Sequence, residues 1–156
     1  MDDLLIFIRA LLVADADLLA AFLAAGGTGV SVVSPDQRVT ASYPRIVLSG
    51  DEGSQLSYGD GLAKFFNGTV RTEIVTRQSE ICPDGLDVLR AIQRRCFQLL
   101  LGDPATGLLP MLGRTVSSDW NVTVFRQTNP TRMLPVNDPT FSRHLTTYAV
   151  QLNRAV

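Results

Sequence analysis

The chain has 156 residues, 46% of them hydrophobic and 19% charged, which are the proportions of one folded domain with its own core and exclude a disordered segment. A formal net charge of −1 excludes nucleic-acid binding by bulk charge. Of the 14 basic residues Lys64 is the one lysine, and the remainder are arginines, whose flat multi-donor fork suits fixed contacts at interfaces.

The chain starts Met-Asp-Asp with no basic leader region, and Arg9 interrupts the first apolar run, so this segment reads as neither a signal peptide nor a membrane span. Residues 2 to 25 read as helix, with Leu4, Leu5, Ile8, Leu11 and Leu12 at helical spacing. Asp15 is placed to cap a second short piece carrying Leu18, Leu19, Phe22 and Leu23, which Gly26 and Gly27 end. A broken helical hairpin and a kinked helix both fit this pattern. "VSVVSPD" then reads as a short strand ended by Pro35.

In "YPRIVLSGDEGS", Ile46 and Leu48 alternate with Arg45, Val47 and Ser49, and Gly50 is expected to stop the strand. Residues 50 to 68 look like a long loop rich in glycine and serine and carrying Asp51, Glu52 and Asp60. A loop of that length inside a compact domain is usually functional. "RTEIVTRQ" follows as a strand. Thr72, Ile74 and Thr76 point one way, while Arg71, Glu73, Val75 and Arg77 point the other. An Arg-Glu-Arg series along one strand face is either solvated or meets another copy of the chain.

Asp84 is a candidate cap for a helix from Gly85 to about Leu101, whose apolar stripe is Leu86, Leu89, Ile92, Cys96 and Leu99 or Leu100. Arg90, Arg94 and Arg95 lie off that stripe and form a second candidate contact surface, since arginine pairs bidentately with carboxylates. Gly102, Asp103 and Pro104 stop the helix. In "VSSDWNVTVFRQT", Val116, Trp120, Val122 and Val124 are expected to share a face; in "RHLTTYAVQLN", His144, Thr146, Tyr148, Val150 and Leu152 share one. Between them, "NPTRMLPVNDPT" reads as a wide hairpin tip. The order of helix, strands, helix, strands implies an α+β class. We expect an antiparallel or mixed sheet of about four to five strands, with two main helices packed on one face. A single domain spans residues 1–156.

Motifs for catalysis are missing. His144 is the one histidine, Cys82 and Cys96 have no CxxC partner, and the glycines of "SGDEGSQLSYGDGLAKFF" open onto no GK[ST] helix. Asp51, Glu52 and Asp60 read as the acids of a solvated loop more readily than as a cation site. Cys96 reads as a small buried hydrophobe and His144 as a packed or surface residue. No catalytic, cofactor or metal site is therefore expected.

Four stretches carry a resemblance: "LIFIRALLVADADLLAAFL", "YPRIVLSG", "CPDGLDVLRAIQRRCFQLLLG" and "WNVTVFRQTNPTRMLPVNDPTFSRHLTTYAVQLN". In order and spacing the chain resembles the tail-terminator, or tail-completion, proteins of long-tailed bacteriophages. That resemblance implies a hexameric ring at the head-proximal end of the tail tube. The ring would stop polymerisation of the tube protein and join the head connector, with DNA passing through its lumen without sequence-specific binding. It implies a virion protein assembled in the host cytoplasm, with no enzyme activity, no cofactor and no membrane partner. A ring needs heterologous contacts. Arg71, Glu73, Arg77, Arg90 and Arg94 are the candidate subunit-interface residues, and Asp51, Glu52, Asp60 and Arg132 the candidates for tube or connector docking or for lumen loops. A head-closure or stopper protein, a minor tail subunit and a small ligand-binding domain are the alternatives.

Overall fold

Asp2–Val13 (α1) and Ala16–Ala24 (α2) are separate helices, so the broken hairpin is the form adopted. The break has a local cause: the Asp15 carboxylate accepts the Leu18 N–H at 2.8 Å and caps α2. α1 buries Leu4, Ile8 and Leu12, a stripe with one residue per turn, and α2 buries Leu18 and Phe22. Each of these side chains contributes about 1.5–3 kcal/mol on leaving water.

The computed structural model describes residues 1–37, 42–57, 63–79 and 83–154. Val32–Val33 (β1) is a two-residue strand followed by a 3₁₀ turn at Pro35–Gln37. Arg45–Ser57 (β2) and Ala63–Arg77 (β3) form a long antiparallel pair. Gly85–Leu101 (α3) has the bounds its sequence predicts, with Asp84 accepting the Asp87 N–H at 3.0 Å and Gly102 ending it at φ +84°. Trp120–Gln127 (β4), Arg132–Met133 (β5) and Phe141–Arg154 (β6) complete the chain.

The six-stranded sheet runs β1-β2-β3-β6-β4, antiparallel except for the parallel β1–β2 pair. β4 and β5 follow one another along the same edge of β6: Gln127 lies opposite Tyr148 and Arg132 opposite Leu145. The sixth strand, beyond the four to five expected, is β5, two residues long within the stretch read as a hairpin tip. One sheet face packs on the helices. Its Ile46, Leu48, Phe66, Val70, Ile74, Tyr148, Val150 and Leu152 join the helix stripes in one core. Among the described residues no helix is long and apolar enough to cross a membrane.

Two expectations fail for identifiable reasons. Gly50 does not stop the strand, and much of the stretch from 50 to 68 is paired β-structure. Its glycines serve close approach. A Cβ on Gly50 would lie 2.8 Å from Met1 Cγ, one on Gly53 2.5 Å from the Asn67 carbonyl, and one on Gly68 2.6 Å from the Asp51 carbonyl. The second failure is in β4, where a bulge between Val122 and Val124 shifts the alternation. Val122 stays buried, Val124 turns half out, and Phe125 enters the core to stack on Tyr148 at 5.1 Å between ring centroids.

Candidate subunit-interface surfaces

Alternation along β3 divides its side chains as expected. Thr72, Ile74 and Thr76 face the helices, and Arg71, Glu73, Val75 and Arg77 face away. The outward face is nevertheless not uniformly solvated. Glu73 is 6% exposed and Val75 3%, and beside them on β2 Arg45 is 6% and Val47 3%. The chain between β5 and β6 supplies the cover: Pro135, Val136, Asn137 and Asp138 wall a cleft of about 310 Å³ whose other lining residues are Tyr43, Arg45, Glu73, Val75, Phe141 and Arg143.

Within this cleft the Glu73 Oε1 accepts from Arg143 Nε at 2.8 Å and lies 2.6 Å from its terminal nitrogen. A carboxylate this deeply buried requires such a partner. Arg45 lays its guanidinium over the Tyr43 ring, 4.3 Å from the centroid, and Arg77 lies 5.4 Å from that of Phe141. The two rings meet edge-on at 5.0 Å. Asp138 is held below its ordinary 3.8 by hydrogen bonds from the Thr140 backbone and hydroxyl and by the charge of Arg77.

The other sequence-derived candidates fall in several places. Arg71 pairs with Asp51 at 2.5 Å, both about half exposed, on the outer sheet face beyond the cleft. Glu52 is exposed one residue further along β2. Arg90 and Arg94 are exposed on α3, in the opposite layer, with Arg90 3.4 Å from Asp87. Arg95 leaves that surface: it binds both oxygens of Asp15, at 2.9 and 2.7 Å, and Asp17 at 3.0 Å, tying α3 to the α1–α2 junction. Arg132 is exposed on β5 next to Met133, which is also exposed. Asp60, and Cys82 with it, lie outside the described residues.

Sequence reasoning missed Arg45, Arg143, Tyr43 and Phe141. Arg45 and Arg143 occupy outward positions of apolar strands, a weak signal. Pairing across 70 residues has no local signature.

His144 and Cys96 are both packed into the fold. His144 packs under α3 with Nδ1 2.9 Å from Gln93 Oε1, while Gln93 donates to Thr131 and Thr131 to or from Thr146. Burial, then the nearby Arg90 charge, lowers the His144 pKa below 6.5. Cys96 is buried, which pushes its thiol up to about 12. Among the described residues no group of three or more His, Cys, Asp or Glu gathers in metal-binding geometry.

No protein-family model matches the sequence, and no curated protein is detectably similar to it. A chain in a solved structure described as the virion of a native gene transfer agent particle shares the fold. Its TM-score is 0.63 at 14% identity, covering 94% of this chain and 91% of that one.

Proposed function

We propose that the chain is a structural protein of a phage-like virion and, within it, the ring-forming terminator that caps the head-proximal end of the tail tube. The likeness over nearly the whole of both chains to a component of a gene transfer agent virion carries the first part of this reading. The terminator role rests on the order of elements that prompted the sequence resemblance: a broken helical hairpin, a Pro-led strand, a capped helix on the sheet, and a last pair of strands around an Arg- and Pro-bearing tip.

In this reading the ring has six copies. Heterologous contacts between copies close it, and its two end faces meet the tube protein and the head connector. DNA passes through the lumen without sequence readout. The tip from 129 to 140, with Arg132 and Met133 exposed, belongs to an end face. Arg90 and Arg94, on the opposite layer from the outer sheet face, belong to a seam or to the ring's outer wall.

Deleting the gene tests the reading. Loss of a terminator gives tail tubes that overrun their normal length. Free tails of normal length beside leaking heads would assign the chain to a stopper, and unaltered particles would remove it from the virion.

A further inference from the structure

The sheet has two strand edges that the described residues leave open. Along β2 the Ile46 N–H donates to the Ser31 carbonyl at 2.8 Å, so the even-numbered residues turn their backbone groups toward the β1 side. β1 pairs only with Ile46 and Val47. Beyond it, among the described residues, Gly50 and Glu52 meet no strand on that side. On β4 the Thr128 N–H donates to the Thr147 carbonyl at 3.0 Å, so Thr128, Arg126 and Val124 face β6, while Phe125 and Gln127 face the other way. The segment from 113 to 116 covers that edge of β4 only as far as Val122. Unpaired N–H and C=O groups along an edge are a template for another strand.

These two edges are complementary in direction, face and charge. β2 pairs antiparallel with β3, β3 with β6 and β6 with β4, so β4 runs opposite to β2. A rotation about an axis along the strands therefore sets β4 of one copy antiparallel to β2 of the next, with both helix layers on the same side. Phe125 is buried on the helix side and Gly50 faces Met1 there, whereas Asp51 pairs with Arg71 on the outer side. Arg126, the neighbour of Phe125, is exposed on that outer side. Matching the open backbone groups pairs Phe125 with Glu52 and Gln127 with Gly50, which puts Arg126 directly opposite Asp51. The Asp51 side chain is 58% exposed even with Arg71 bound, which leaves room for a second guanidinium. Sliding the pair by two residues would bring in either the bulge after Glu52 or Leu48, which lies against Val33 and Ser34. A bulge also interrupts β4 before Val124, so the join is confined to residues 50–52 and 125–127.

We infer that the ring seam is a strand join: residues 125–127 of one copy add in antiparallel sense to residues 50–52 of the next, and Arg126 meets Asp51 across it. The inference rests on the ring reading above and assigns its seam. Each bonded pair exchanges both of its N–H···O bonds, which gives the join its affinity, and the Arg126–Asp51 pair fixes its register. Every copy offers one edge and receives on the other, the heterologous contact that a closed ring requires.

The test uses the closeness of positions 51 and 126 in this register. Directly opposed residues that share no backbone bond have Cα atoms about 4.5 Å apart, within disulfide reach. Full-length Asp51→Cys and Arg126→Cys proteins, each also carrying Cys82→Ser, are mixed at high concentration and oxidised, with each variant alone as a control. The mixture is expected to give a dimer whose mapped disulfide joins 51 to 126. The chain carrying both changes is expected to give a ladder ending at a closed ring, in solution or in particles. Gln127→Pro removes an N–H that β6 does not use, so the fold read by circular dichroism should persist while the concentration for half-assembly rises about tenfold or more. Assembly with no 51–126 disulfide, or assembly indifferent to Gln127→Pro, overturns the seam and leaves the ring reading standing. A 126–126 disulfide in the Arg126→Cys control, the mark of two β4 edges paired symmetrically, does the same. A chain that forms no ring alone or in particles overturns both.

Discussion

Removing the Asp15 carboxylate tests how the helical layer is joined. Asp15 caps α2 through the Leu18 N–H and holds Arg95 through both oxygens, with side-chain exposures of 10% and 17% for the pair. Asp15→Asn retains an acceptor for the cap but loses the charge. Arg95 then keeps only the 74%-exposed Asp17 among these partners, and the partly buried pair is worth about 1–2 kcal/mol. Asp15→Ala also loses the cap, a further loss of about 1 kcal/mol. For a chain of this size each kcal/mol lowers Tm by about 2–4 °C. We therefore expect Tm to fall by about 2–8 °C for Asn and 4–12 °C for Ala, read by circular dichroism during thermal and urea unfolding. The pH dependence follows from the same contact. The Arg95 hydrogen bond holds Asp15 below its ordinary 3.8 despite burial, so its contribution is present above about pH 4 and is lost as pH falls through the folded pKa. Asp15→Asn should remove that part of the acid loss. Equal stability of both variants and the native chain would refute the reasoning, and an Asn variant as unstable as the Ala variant would refute the separate cap contribution.

Other consequences follow from buried groups and close contacts. The lowered His144 pKa makes its contribution complete above pH 6.5 and lost as pH falls below that, so His144→Gln should flatten stability in that window when urea midpoints are compared across pH. Gly68→Ala places a methyl 2.6 Å from a backbone carbonyl and should cost about 1–3 kcal/mol in urea unfolding, whereas Gly29→Ala, with open space around it, should cost far less. Cys96, buried and with its thiol pushed up to about 12, should resist maleimide labelling in the native protein and label on unfolding, as read by mass mapping of its peptide.

What is legible in the sequence is local. α3 can be read to its bounds because stripe, cap and stop agree, and the inward face of β6 because strict alternation runs from His144 to Leu152. The strand stop expected at Gly50 fails because glycine signals both a turn and a close approach, and only the packing of Met1 and the facing strand distinguishes them. The bulge at Val122 has no local signature, so plain alternation leaves Phe125 outside the core. At the candidate site, the outward direction of Arg71, Glu73 and Arg77 is legible, but the burial of Glu73 is not. That burial depends on Arg143, 70 residues away, and on the covering segment at 135 to 138.

Imaging the head–tail junction of the native particle tests the central claim most directly. The account predicts a closed ring of six copies between the last layer of tube protein and the connector. Density that places this chain elsewhere in the particle, or as an isolated copy outside any ring, would contradict it.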